Sequence, residues 1–122
     1  MMQKFITFFI TLITLLTATN SFAVEVFEVD IYIKEHKFSP EIIEAPAGRK
    51  LRITVHNQDS TIEEFESFEL KREKIILGNS KAVIILAPLK PGEYKFFGDF
   101  HQDTAQGKII VRETTKEAEQ DV

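Results

Sequence analysis

The stretch "KFFGDFHQDTAQGKIIV", Lys95–Val111, sets the frame for the whole chain. Lys95–Gly98 closes an apolar strand and Gly107–Val111 opens another. Between them runs a polar loop carrying Asp99, His101 and Asp103. A loop this polar is not core. If its backbone is extended, Asp99 and His101, two residues apart, share one side.

Working outward, the remaining apolar runs have the period of strands. In "VFEVDIYIK" Phe27, Val29, Ile31 and Ile33 alternate with Glu28, Asp30, Tyr32 and Lys34, which predicts a strand with one buried face. "KLRITVH" repeats the pattern through Leu51, Ile53 and Val55, "KAVIILA" is mostly apolar, and "EYKFFG" and "GKIIVRE" complete the set. Ser39-Pro40, Pro46-Ala47-Gly48, Asn57–Ser60, Gly78-Asn79-Ser80 and Pro91-Gly92 punctuate these runs. Short strands at such spacing, with no helical period, predict an all-β sandwich or barrel.

The ends of the chain read differently. Met1–Lys4 is basic, Phe5–Ala18 is a run of 14 apolar or hydroxylated residues, and Ser21-Phe22-Ala23 is a small-x-small cleavage pattern. A membrane span needs roughly 20 apolar residues. Residues 1–23 are therefore expected to be a signal peptide cleaved after Ala23, giving an exported, periplasmic protein without a stable membrane anchor. Residues 24–113 form the expected domain, and 114–122 a disordered tail without apolar period. Export without any cysteine means no disulfide staple, so packing must hold the fold. Of the 11 phenylalanines, the seven outside the leader (Phe27, Phe38, Phe65, Phe68, Phe96, Phe97, Phe100) are expected mostly in the core.

Charge and composition exclude several functions. The chain carries a formal net charge of −4, and loss of Lys4 makes the exported form more acidic. That disfavours nucleic acid and anionic lipid, and favours cations or basic partners. There is no tryptophan for a sugar platform, no Gly-rich phosphate loop, no cysteine nucleophile and no Ser-His-Asp arrangement.

The candidates for chemistry are then few. His101 stands among carboxylates, whereas His36 at the end of the first strand reads as a surface side chain and His56 as a turn residue. In "EEFESFEL" Phe65 is out of phase with Phe68 and Leu70, which predicts a bulge near Glu66–Ser67. Three glutamates in Glu63-Glu64-Phe65-Glu66 need open solvent, a basic partner such as Lys71, Arg72 or Lys74, or a bound cation. The bulge leaves open whether Glu63 or Glu64 faces inward.

The order of these motifs resembles the cupredoxin-like domains of bacterial periplasmic iron-uptake proteins, the group that includes the EfeO-type domain. "FSPEIIEAPAGRKLRITVHNQDS" is similar to that family's opening, ending in Asn57-x-Asp59, and "PLKPGEYKFFGDFH" to its hairpin before the metal loop. "EEFES" with "GDFHQDTAQG" also resembles the small cupredoxin-like component that accompanies bacterial ferrous-iron permeases. The resemblance implies a Greek-key β-sandwich and a metal site at one end. It also shows where this chain departs. The family's first histidine falls on Glu63, its cysteine on Gly98 and its axial methionine on the Thr104–Gln106 region, while its second histidine is kept as His101.

Without thiolate or thioether there is no blue-copper centre, and carboxylates with imidazole suit Cu(II), Fe, Mn or Zn. The expected site is Glu63, Glu66, Asp99 and His101, holding a copper or iron ion. The expected function is periplasmic metal binding in iron uptake, with an iron permease or other uptake proteins as partners. Two alternatives stay open: a copper-dependent ferroxidase component, and a metal-free interaction module.

Overall fold

In β1 (Phe27–Lys34) the alternation read from sequence is met residue by residue: Val29, Ile31 and Ile33 are buried and Glu28, Asp30, Tyr32 and Lys34 exposed. A computed structural model describes Ala18 and residues 25–114. The expected signal peptide, and the tail from residue 115, lie outside the described residues. Among the described residues no helix is long and apolar enough to cross a membrane.

Eight further strands follow: β2 (Lys37–Ser39), β3 (Ile42–Pro46), β4 (Leu51–Asn57), β5 (Glu63–Ser67), β6 (Arg72–Ile76), β7 (Ser80–Leu86), β8 (Gly92–Gly98) and β9 (Gln106–Arg112). They form two sheets, in the orders β2-β1-β4-β7 and β3-β9-β8-β5-β6. The pairs β1–β4 and β3–β9 are parallel and the others antiparallel. The chain passes repeatedly from one sheet to the other, the arrangement of a cupredoxin-like Greek-key β-sandwich.

The facing sides of both sheets supply the core. Ile31, Ile33, Leu51, Ile53 and Val55 come from the first sheet, and Phe65, Phe96, Ile109 and Val111 from the second. Phe38, Phe65 and Phe96 meet beneath one end of the sandwich. The Phe65 and Phe96 rings stack at 5.0 Å, and Phe38 stands edge-on to Phe96 at 5.1 Å. Each buried ring contributes roughly 1.5–3 kcal/mol by leaving water. This trio is the floor on which the polar end of the molecule rests.

Two expectations are corrected. No bulge interrupts β5, whose register with β6 runs unbroken from Glu63↔Ile76 to Ser67↔Arg72. The phase change arises because the strand ends at Ser67, whose hydroxyl donates to the Lys95 carbonyl and accepts the Leu70 N–H. Phe68 therefore leaves on a turn and is 73% exposed. Phe100, in the short 3₁₀ turn Asp99–His101, is also exposed rather than core.

Candidate metal centre

Because β5 is regular, its side chains alternate strictly. Glu63, Phe65 and Ser67 point into the sandwich while Glu64 and Glu66 point out. Glu63 is thus a carboxylate at 1% exposure, which is tolerable only with full hydrogen bonding. Its Oε1 accepts the N–H of Phe100 and of Glu64, each at 3.0 Å, and its Oε2 lies 2.5 Å from His101 Nδ1.

The loop that carries His101 is closed on itself. The His101 carbonyl accepts the N–H groups of Thr104 and Ala105, and the Ala105 carbonyl accepts the Gly98 N–H at 2.9 Å. Gly98 has no room for a side chain. A Cβ there would lie 2.7 Å from Glu63 Cδ and 2.7 Å from the Ala105 methyl. The Glu63 carboxyl group occupies the space that a side chain at position 98 would need.

The third member comes from a segment read in the sequence as surface. Glu35 and His36 link β1 to β2 as a two-residue turn, with φ of 53° and 58°. Their N–H groups donate to Asp59, Glu35 to Oδ1 at 2.8 Å and His36 to Oδ2 at 3.0 Å. The His36 ring then stacks on His101, with centroids 3.6 Å apart and planes 13° from parallel. Donor atoms of His36, Glu63 and His101 all lie within 4.8 Å of one another. Burial pushes the Asp59 carboxyl up, but the His36 and Glu35 N–H groups and the two imidazoles outweigh it and hold it below the usual range.

Glu66 and Asp99 are placed elsewhere. Glu66 is three residues from Glu63 on a regular strand, so the two take opposite faces. Asp99 and His101 lie on a 3₁₀ turn rather than extended chain, and residues two apart on such a turn diverge. Asp99 lies beside the outer-face group Glu64, Glu66 and Glu73, and its Oδ1 accepts the Gln102 amide at 2.8 Å. Desolvation and the neighbouring Glu73 and Asp99 charges raise the Glu64 and Glu66 carboxyls above their ordinary value. His56 is on the outer face of the first sheet, 2.8 Å from Asp30 and stacked on Tyr32.

The His36, Glu63 and His101 donors are two imidazoles and a carboxylate. The chain has no cysteine, and its two methionines are Met1 and Met2. The group fits a borderline or hard ion such as Cu(II), Fe or Zn, and does not fit blue copper. Only His36 escaped the sequence. The one signal for it was Asp59 in Asn57-x-Asp59, whose target lies 23 residues upstream.

Residues 5–111 match the family described as cupredoxin-like domain, and the chain belongs to that family. It is 60% identical over 88 residues to the uncharacterized protein RP394 of Rickettsia prowazekii (strain Madrid E), covering 72% of this chain and 70% of the relative. Among solved structures it is similar to the metal-binding domain of the Streptococcus pneumoniae D39 Cu(I)-exporting P-type ATPase CopA (TM-score 0.61, 19% identity, 75% of this chain and 99% of that one). It is also similar to auracyanin A, a blue copper protein of Chloroflexus aurantiacus (TM-score 0.62, 14% identity, 72% of this chain and 100% of that one). At these identities the likeness is one of fold.

Proposed function

We propose that the protein is a periplasmic metal-binding member of the cupredoxin-like family, holding a Cu(II) or iron ion with His36, Glu63 and His101 and acting in iron uptake. The observation that carries this reading is the exchange at positions 63 and 98. A buried carboxylate fills the room at Gly98 and is bonded to the one histidine kept from the family pattern. A buried ionised group is costly unless paired, and a cation is its strongest partner. The copper named for the Streptococcus domain and for auracyanin A supports metal binding by a chain of this fold.

When bound, such an ion supplies a Lewis-acidic or one-electron centre. The chain's own part is to present Glu63 from a dry pocket, to hold His101 by its Nδ1, and to offer His36 at the rim. The link to iron rests on the resemblance of "EEFES" and "GDFHQDTAQG" to the small component of ferrous-iron permease systems.

Calorimetric titration of the exported form with Cu(II), Fe and Zn tests the reading. Binding that is lost in His101→Ala, with the fold retained by circular dichroism, is the expected result. A wild-type melting temperature indifferent to all three ions would replace this reading with that of a metal-free interaction module. Fe(II) oxidation with added copper, compared with a buffer blank, tests the ferroxidase version. N-terminal sequencing of periplasmic material tests cleavage after Ala23.

A further inference from the structure

The turn between β1 and β2 breaks a local rule. Two-residue turns with positive φ at both centres are ordinarily built from pairs such as Asn-Gly, because a Cβ disfavours that region. Here the pair is Glu35-His36. Neither side chain bonds to the turn to ease the conformation, so the stabilisation has to come from outside it.

Asp59 supplies it. Its two carboxylate oxygens each accept one of the two turn N–H groups, at 2.8 and 3.0 Å. Asp59 is itself fixed on both sides. Its N–H donates to Asn57 Oδ1 at 3.1 Å and its carbonyl accepts the Asn79 N–H at 2.8 Å. Asn57 is buried, with its amide nitrogen within hydrogen-bond distance of the Thr61, Ile76 and Leu77 carbonyls. The loop that crosses from β4 in one sheet to β5 in the other therefore grips the tip of the β1–β2 hairpin beside β4.

We infer that Asp59 is a positioning residue of the metal centre: its two-handed grip on the Glu35-His36 turn holds His36 in the left-handed conformation that carries its imidazole onto His101. The inference rests on the metal reading of the site for the ligand role of His36. A hairpin alone would not need the grip, since Asn or Gly would make the same turn unaided. The grip is required because neither Glu35 nor His36 makes this turn unaided, and the result of having a histidine at 36 is the stacked pair.

The ring geometry says what the grip leaves free. Imidazole lone pairs lie in the ring plane, and the two planes are nearly parallel with centroids 3.6 Å apart. Both rings can bond one ion only if one of them turns. His101 is held by Glu63, whereas the His36 side chain is 40% exposed and its nearest carboxylate oxygen is 3.6 Å from Nδ1, beyond a hydrogen bond. Asp59 fixes the pivot, and the His36 ring swings on it.

The test uses the exported protein and its D59A, D59N, H36A and E35G/D59A variants, with Cu(II) as the probe. In protein without added metal, proton NMR of the wild type should show His101 ring protons shifted upfield by the His36 ring, a shift absent from H36A. D59A should lose that shift, and E35G/D59A should regain part of it, because glycine takes positive φ without help at position 35 while His36 keeps its own cost. D59N, which keeps one acceptor, covers the case in which D59A does not fold and should show a reduced shift. With Cu(II) bound, the nitrogen couplings in electron paramagnetic resonance should report two imidazoles in wild type but one in D59A and H36A, with E35G/D59A a mixture of the two. Cu(II) affinity should fall about 10- to 100-fold in D59A. Unchanged ring shifts together with two coupled nitrogens in D59A, or in D59N if D59A is unfolded, would overturn the inference. A wild type that takes up no Cu(II), while its ring shifts still respond to D59A, would overturn the metal reading and leave the grip standing.

Discussion

Glu63 and Gly98 share one volume. A Cβ on Gly98 would stand 2.7 Å from the Glu63 carboxyl carbon, so the glycine in the loop and the buried acid on β5 are two halves of one arrangement. The pattern that the sequence resembles has a histidine and a cysteine at these positions. Here a carboxylate with two acceptor oxygens faces a position with no side chain.

Gly98→Ala should therefore destabilise the protein by about 1–3 kcal/mol, the range for forcing a methyl group into a packed site. In the Glu63→Ala background the same change should cost less, because one of its two closest neighbours is gone. Urea denaturation of the four proteins in a double-mutant cycle measures the difference. Additive losses would show that the two positions are independent.

Glu63→Ala removes the acceptor of the Phe100 N–H and the partner of His101 Nδ1. A buried donor left unpaired costs about 1–3 kcal/mol. We expect a stability loss of that order together with loss of Cu(II) binding. Glu63→Gln, which keeps the shape, should retain more of the stability than of the metal affinity.

His36→Ala should weaken Cu(II) or Fe binding, whereas Glu66→Ala and Asp99→Ala should leave it within about twofold, since Glu66 is on the opposite face of β5 and Asp99 lies beside it, and coupling falls away for groups without shared partners. Isothermal titration of the three variants checks the assignment. A loss confined to Glu66→Ala and Asp99→Ala would move the site to the outer face.

The outer acids carry their own signature. The Glu64 and Glu66 carboxyls are raised by desolvation and by the neighbouring Glu73 and Asp99 charges, so their ionised forms oppose folding near neutrality. That opposition is relieved as pH falls through the raised folded values. Glu66→Gln should then raise the melting temperature at about pH 7, more at low salt than at high, with the gain vanishing below about pH 4.

Asp59 has the reverse sign. Burial raises its carboxyl, but the His36 and Glu35 N–H groups and the imidazoles bring it below the ordinary 3.8. Its ionised form therefore contributes stability that is present above that unfolded value and lost as pH falls through the folded one. The stability gap between wild type and Asp59→Asn should close as pH falls below about pH 4. Chemical denaturation across that range reads it directly.

The sequence by itself determined the sandwich, because period-2 alternation in β1, β4, β8 and β9 is local and survives into the folded chain. The resemblance to the cupredoxin-like family, counted from Asn57 and His101, singled out Glu63 and Gly98 as departures from that family's pattern. Tertiary structure decided the rest. Which of Glu63 and Glu64 faces inward depends on strand phase, and a bulge inferred from Phe68 was a strand end capped by Ser67. Asp99 was separated from His101 by a 3₁₀ turn that three residues of sequence do not announce. His36 joined the cluster from 65 positions before His101, through a carboxylate on a third segment. A local pattern records which face of a strand is apolar. It does not record which turn a distant carboxylate will hold, and that is what brings the second imidazole to the site.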